Sequence, residues 1–306
     1  MTENASSNAE SLIGITIGDY KIIDIIGRGG MGVVYTAEHI QLHHQTACKV
    51  LRAEMASHPE TVDRFLQEAK FISRIRHQNL IDIFDIGELP DKRLYYVMEK
   101  LTGRTLAQSL QGQKMAFASI VTIMNQICAG LSAAHAAGLV HRDLKPDNLF
   151  LVERPGEPPL LKIMDFGVAK VMDLSSTEAK LTRTGYLVGT PQYMSPEQIN
   201  GTAVDKRTDI YALGVILYEM STGTPPFRGD TLGQMLIAHL QQILPAIDPK
   251  LRNEDVPAGI EFIIRKALAK DAGERYSSVE ELSADLQRLA AGEPTQAAAW
   301  YKDYQP

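Results

Sequence analysis

From Asp19 to Met98 the apolar positions fall in short runs rich in Val, Ile and Tyr, separated by turn-forming residues. Five such runs, YKIIDIIG, GVVYTAEHI, TACKVL, LIDIFDIGE and RLYYVMEK, predict strands. Between the third and fourth, from about Glu60 to Arg76, the period lengthens to that of a helix, with Phe65, Ala69, Ile72 and Ile75 on one stripe. Beyond Leu101 the period stays helical. ASIVTIMNQICAGLSAAHAAG places Ile120, Ile123, Met124, Ile127 and Leu131 on one face, and TDIYALGVILYEMSTG, TLGQMLIAHLQQ, AGIEFIIRKALAK and SSVEELSADLQRLA follow. In the last, Ser277 stands three residues before Glu280, the spacing of a capping box. Strands first and helices after predict an α+β fold in two lobes, a β-rich one over residues 18–101 and a helical one over 102–290. Residues 1–17 read as a flexible polar leader, residues 291–306 as a tail without periodicity, and no internal repeat is visible.

Composition narrows the function classes. A hydrophobic content of 44% and a charged content of 22% are those of a globular chain. The net charge of −6 argues against coating nucleic acid, which needs a basic face, but not against a nucleotide. Two cysteines, Cys48 and Cys128, fit a reducing cytoplasm and predict no disulfide framework. The first residues lack the basic and apolar regions of a secretory signal. The run IYALGVILYEM, 210–220, is too short to span a bilayer and contains Glu219, so it reads as a buried helix and the chain as soluble.

Candidate chemistry begins with IGRGGMGVVY. Gly27, Gly29 and Gly32 form G-x-G-x-x-G, but a strand rather than a helix follows, which disfavours a dinucleotide fold. A strand–glycine loop–strand hairpin can instead fold over phosphates, its N–H groups unobstructed by side chains. In TACKV, alternation puts Ala47 and Lys49 on one face and Cys48 on the other. Glu68 falls within the inward stripe of the helix, so a Lys49–Glu68 pair would satisfy two charges that are costly to bury alone. HRDLKPDNLFL gathers Asp143, Lys145 and Asn148 in one turn-like stretch, and Asp165 opens Asp-Phe-Gly after LLKIM. An acid to take a proton, a cation to steady a phosphoryl oxygen, and two oxygen donors for Mg²⁺ are the requirements of in-line phosphoryl transfer.

These motifs, in this order, resemble the eukaryotic-type protein kinases from about Tyr20 to Leu289, and GRGGMGVVY with GTPQYMSPEQ resembles the bacterial serine/threonine members. The resemblance implies a bilobal kinase fold binding Mg-ATP in its cleft, with Mn²⁺ as a substitute metal. In it, Gly27, Arg28, Gly29, Gly30, Met31, Gly32 and Val33 form the phosphate-covering loop. Ile26, Val34 and Ala47 would lie above the adenine and Phe150 beneath it. Lys49 would hold the α and β phosphates while paired with Glu68. Met98 would be the gatekeeper, and the backbones of Glu99 and Leu101 the hinge. Asp143 would be the catalytic base and Lys145 the contact to the moving phosphoryl group, with Asn148 and Asp165 binding the metal. Asp209 would anchor the catalytic loop, Glu197 would pair with Arg275, and His141 would pack beneath Phe166. TACK stands where VAIK is usual, SPE where APE is usual, and ERPGEPPL lengthens a hairpin.

The segment LTRTGYLVGTPQYMSPE, 181–197, then becomes the activation segment. Thr190 would line the substrate groove and favour Ser or Thr acceptors. Thr182 and Thr184 sit where similar kinases autophosphorylate, and Arg142 beside the base would receive the phosphate. The implied partners are proteins with Ser or Thr acceptors, with docking of two copies through their N-lobes for trans-autophosphorylation. Arg104 stands where kinases preferring upstream basic residues often carry an acid. The alternative is an inactive pseudokinase acting as a nucleotide-binding scaffold. It would be expected to lose Lys49, Asp143, Asn148 or Asp165, and all four are present.

Overall fold

The structure, a computed structural model, describes residues 12–30, 32–166 and 191–303. Met31, Thr182, Thr184 and Thr190 therefore lie outside the described residues. The chain divides into two compact units, 1–76 with 81–102, and 77–80 with 103–306.

The first unit is built on strands β1 (Thr16–Ile17), β2 (Tyr20–Arg28), β3 (Gly32–His39) and β4 (Gln45–Leu51), then helices α1 (Ala53–Ala56) and α2 (Pro59–Ile72), then β5 (Ile83–Glu88) and β6 (Leu94–Glu99). Among the described residues, these strands form one antiparallel sheet in the order β1-β2-β3-β4-β6-β5. All five expected strands are present. Alternation along β4 sends Cys48 and Val50 to one face, where they pack with Ile22, Tyr35, Ala37 and Val97. It sends Leu51 to the other, with Leu94, Tyr96, Phe65 and Ala69. Each fully buried Val, Leu, Ile or Phe among them stabilises the fold by about 1.5–3 kcal/mol.

The expected leader needs correction. Thr16 and Ile17 pair with Lys21 and Tyr20, and Leu12 and Ile17 are buried in the first of these clusters. A two-residue strand between Gly14 and Gly18 is too short to show a period, so its pattern could not be read. The helix α2 also ends at Ile72, four residues before the expected limit.

The second unit contains β7 (Gly103–Thr105), α3 (Leu106–Leu110), α4 (Phe117–Ala136), β8 (Leu149–Val152), β9 (Leu160–Ile163), α5 (Pro196–Asn200), α6 (Arg207–Thr222), α7 (Leu232–Gln241), α8 (Ile260–Ala267), α9 (Val279–Ala290) and α10 (Gln296–Asp303). β7, β8 and β9 form a small antiparallel sheet. Residues 77–80 belong to this unit because Asn79 fastens them to it. Its carboxamide donates to the Leu161 carbonyl at 2.8 Å, and its own carbonyl accepts the Ile163 N–H at 2.8 Å. The β8–β9 loop, which holds the extra residues, braces itself through Arg154, paired with Glu157 at 2.8 Å and donating to the Pro158 carbonyl.

Nearly all of α6 is buried, as expected of a core helix. Among the described residues, the helix with the length and hydropathy of a membrane span is instead α4, with a mean hydropathy of 1.5. Its buried stripe, Ile120, Ile123, Met124, Ile127 and Leu131, packs within the unit against α6, α9 and β9. Cys48 and Cys128 are both free and buried, and burial pushes each thiol up to about 12. The expected capping box at Ser277 and Glu280 does not form: the Glu281 carboxylate takes the Ser277 N–H and hydroxyl, and the N-cap lies one residue later. Ser278 is the N-cap of α9 and accepts from the Glu281 N–H, while Glu280 takes the Ser132 hydroxyl. The expected tail, 291–306, contains α10, whose Ala297 is fully buried. Its eight residues are mostly alanine and polar, so no apolar stripe announces it.

Candidate active site

In the first unit, β2 and β3 form a hairpin whose tip carries the glycine loop, with Arg28 paired to Val33 and Gly27 to Val34. The turn closes through the Gly29 N–H on the Gly32 carbonyl at 2.8 Å. The glycines divide by the reason for their presence. A Cβ on Gly32 would lie 2.6 Å from the Val50 carbonyl oxygen, so strand packing excludes one. Gly27 and Gly30 have open space beside them, and neither takes a left-handed φ. Neither packing nor backbone geometry requires glycine there, whereas the close approach of a phosphate that the family resemblance implies would. Gly30→Ala and Gly32→Ala should therefore fail differently. Gly30→Ala should keep the wild-type Tm and raise KM for ATP. Gly32→Ala should lower stability by about 1–3 kcal/mol from overpacking. Thermal unfolding without nucleotide, alongside ATP kinetics, separates the two, and equal Tm losses would contradict the division.

Lys49 and Glu68 approach to 3.9 Å, with side chains 12% and 7% exposed. The Lys49 ammonium also lies 5.5 Å from the Tyr96 ring centroid. Strand β4 supplies Lys49 and the inward stripe of α2 supplies Glu68, the pairing that the two sequence patterns predict. Ala47 pairs with Met98 and Thr46 with Glu99 across β4 and β6. The Glu99 N–H is committed to the Asp82 carbonyl at 3.0 Å.

The second unit assembles the loop after α4. His141 is fully buried, its Nδ1 accepting from the Asp143 N–H at 3.3 Å and its Nε2 donating to the Met164 carbonyl at 3.1 Å. Its ring packs on Phe166 with centroids 4.5 Å apart. Burial lowers its pKa, outweighing the opposite pull of Asp209 and Asp143, so the ring is neutral and the tautomer fixed by these two bonds. His141 thus ties the backbone of Asp143 to the segment ending in Asp165 and Phe166. The Asp143 carboxylate lies 3.4 Å from the Lys145 ammonium. Asn148 donates to the Asp143 carbonyl at 2.9 Å, and Phe150 is half-buried on β8. Arg142 and Asp165 take left-handed backbone angles, φ 63° and 48°. Such strain in non-glycine residues concentrates where function fixes the geometry.

Asp209, in the first turn of α6, holds this loop. Its carboxylate accepts the N–H groups of His141 and Arg142, each at 2.9 Å, and the His135 ring at 2.7 Å. Glu197 and Arg275 form a bidentate pair at 2.7 and 2.8 Å, with the Arg275 side chain fully enclosed. Two further residues bind these anchors without having been singled out. His135 stands within an alanine-rich stretch with no chemical neighbours in sequence. Gln198 donates to the Arg142 carbonyl at 2.7 Å and accepts the Ser195 N–H at 3.1 Å. The S-x-x-Q spacing of SPEQ was a readable sign of the second contact. Arg104 is exposed on β7.

Known proteins share this architecture. The family model of the protein kinase domain matches residues 20–286. Serine/threonine-protein kinase Pkn1 of Myxococcus xanthus is 43% identical over 278 residues, 91% of this chain and 39% of that protein. Serine/threonine-protein kinase pkn3 of the same organism is 39% identical over 92% of this chain and 52% of its own length. PknB of Mycobacterium leprae is 36% identical over 91% and 44%. The chain thus spans about two-fifths to half of these relatives. The Mycobacterium tuberculosis PknI kinase domain superposes with a TM-score of 0.70 at 24% identity, covering 91% of this chain and 98% of that one, which shows the fold. With its β-rich first unit, helical second unit and matched motifs, the chain belongs to the protein kinase domain family and is similar within it to the bacterial serine/threonine kinases.

Proposed function

We propose that this domain transfers the γ-phosphoryl group of Mg-ATP to serine and threonine hydroxyls of proteins, with the residues above in the following roles. The enzyme class, a protein serine/threonine kinase using ATP and a divalent metal, follows from the family and its relatives. The observation that carries the residue roles is the convergence of Asp143, Lys145 and Asn148 in one loop held by Asp209 and His141.

Asp143 accepts the proton of the acceptor hydroxyl as its oxygen attacks phosphorus. Lys145, beside that carboxylate, offsets charge on the moving phosphoryl oxygens. The Asn148 amide nitrogen is committed to the Asp143 carbonyl, so the atom left to ligate a cation is its carboxamide oxygen. With the Asp165 carboxylate this makes an oxygen donor set that would suit Mg²⁺, and Mn²⁺ would substitute. The metal, when bound, neutralises the phosphate oxygens. Lys49, fixed by Glu68, holds the α and β phosphates under the glycine loop of Gly27, Arg28, Gly29, Gly30, Met31, Gly32 and Val33. Ile26, Val34, Ala47, Met98 and Phe150 contact the adenine, and the backbones of Glu99 and Leu101 bond its edge. Thr190 lines the acceptor groove. Two free buried cysteines support a cytoplasmic setting.

The test is incubation of wild type and Asp143→Asn with Mg-ATP and an acceptor protein, with phosphosites mapped by mass spectrometry. No transfer by the wild type after pre-incubation with Mg-ATP would favour the scaffold alternative.

Thr182 and Thr184 are the proposed autophosphorylation sites, modified in trans within a pair of copies. The support is Arg142, whose guanidinium makes no hydrogen bond or ion pair to another described residue, although its backbone is held by Asp209 and Gln198. A phosphothreonine brings about −2 charge and three acceptor oxygens to such a cation. Thr182→Ala with Thr184→Ala should lower kcat/KM for an acceptor peptide at least tenfold and leave ATP affinity within twofold. Undiminished activity in the double variant would remove both threonines from the mechanism.

A further inference from the structure

The helix α10 lies beyond the residues matched by the family model, yet it is anchored by contacts that a passive tail would not need. Asp285, 1% exposed on α9, accepts the Gln296 and Ala297 N–H groups at 2.7 and 2.8 Å. It also takes the Tyr276 hydroxyl at 2.8 Å. A buried carboxylate therefore caps the N-terminus of α10, where the helix dipole favours an anion. At the other end Trp300 donates to Glu274 at 3.1 Å, and the Lys266 ammonium lies 5.1 Å from its ring and 5.4 Å from the ring of Tyr276.

Glu274, held by Trp300 of α10, and Tyr276, held by the same Asp285 carboxylate that caps α10, flank Arg275. All five guanidinium N–H groups of Arg275 are committed: two to the Glu197 carboxylate, the others to the carbonyls of Ala269, Arg207 and Lys270. Glu197 lies in the first turn of α5, whose next residue, Gln198, donates to the Arg142 carbonyl beside the proposed base. A contiguous line of contacts runs from the C-terminal helix to the catalytic loop, within one unit.

We propose that α10 is a positioning clamp for the peptide-substrate site. By gripping Glu274 directly, and Tyr276 through the shared Asp285, it sets the place of Arg275, and through Glu197 and Gln198 the place of α5 and of the catalytic loop at Arg142. Trp300 and Asp285 are its positioning residues. The contacts of the clamp named above all lie within the second unit, so its loss acts on acceptor binding. This inference rests on the kinase reading for its kinetic arm only.

The test compares wild type, Trp300→Ala, Asp285→Asn and Lys302→Ala, the last altering an exposed side chain of the same helix. The clamp predicts that Trp300→Ala and Asp285→Asn raise KM for an acceptor peptide about three- to tenfold, within the roughly two- to thirtyfold coupling carried by packed networks. KM for ATP and kcat at saturating peptide stay within twofold, and Lys302→Ala matches wild type in every value. Amide hydrogen exchange is the second readout: in both variants the amides of α5 exchange faster as well as those of α10. Faster exchange in α10 with unchanged peptide KM and unchanged α5 exchange would overturn the clamp. A wild type that transfers no phosphate would sink the kinase reading, and the exchange arm alone would then decide the clamp. If Trp300→Ala does not fold, Trp300→Phe keeps an aromatic ring while removing the N–H to Glu274, and is held to the same exchange criterion.

Discussion

Asp143→Asn should transfer phosphate about 10²- to 10⁴-fold more slowly than wild type while binding ATP as tightly, the loss expected on removal of the general base proposed for this site. The substitution exchanges one carboxylate oxygen for an amide and leaves the surrounding frame in place. The Asp143 N–H still meets His141, its carbonyl still receives Asn148, and the neighbouring Arg142 N–H still reaches Asp209. None of these bonds involves the altered side chain. An asparagine amide cannot accept the hydroxyl proton, so the variant loses the base without losing the loop. The loss belongs in kcat rather than in KM for ATP, because the group acts only as the hydroxyl oxygen attacks. Single-turnover transfer and equilibrium ATP binding on the same preparation check this. A kcat within tenfold of wild type would mean that another group takes the proton.

How much of this could be read in the sequence depends on how local each relation is. Asp143, Lys145 and Asn148 lie within six residues, so their chemistry was visible as a motif before any fold was known. The Lys49–Glu68 pair was legible because two periods intersect, alternation along β4 and the inward stripe of α2. Glu197 and Arg275 stand 78 residues apart, and no local pattern links them; only the family resemblance did. His135 was not legible at all. Its partner Asp209 lies 74 residues on, and a histidine among alanines at a helix end carries no signal of its own. Thr16–Ile17 and α10 escaped for a different reason. Both are too short for a period to emerge, and each is held by partners elsewhere in the chain rather than by its own propensity.

Arg275→Met should destabilise the second unit by about 3–5 kcal/mol, because it leaves the Glu197 carboxylate in a buried site without its cation. For a unit of this size that is a drop in Tm on the order of 10 °C. Glu197 shows how the balance stands in the intact pair. Burial alone would raise its pKa, but the Arg275 hydrogen bonds and charge, with the Thr208 hydroxyl at 2.7 Å, outweigh burial and hold it below the usual carboxylate range. A depressed carboxylate stabilises the fold above its unfolded pKa, and the contribution is lost as pH falls through the folded value. Wild type should therefore lose stability as pH drops below about 4.5, the ordinary range of a glutamate, and this component should be absent from Glu197→Gln. Removing both charges in Glu197→Gln with Arg275→Met should recover part of the loss, since no buried charge then lacks a partner. Recovery stays incomplete because the carbonyls of Ala269, Arg207 and Lys270 still lose their donor. Denaturant unfolding of the two single variants and the double variant measures the coupling directly. Strictly additive losses would show that Glu197 and Arg275 stabilise the unit independently, and the bidentate pair would then be a contact without energetic consequence.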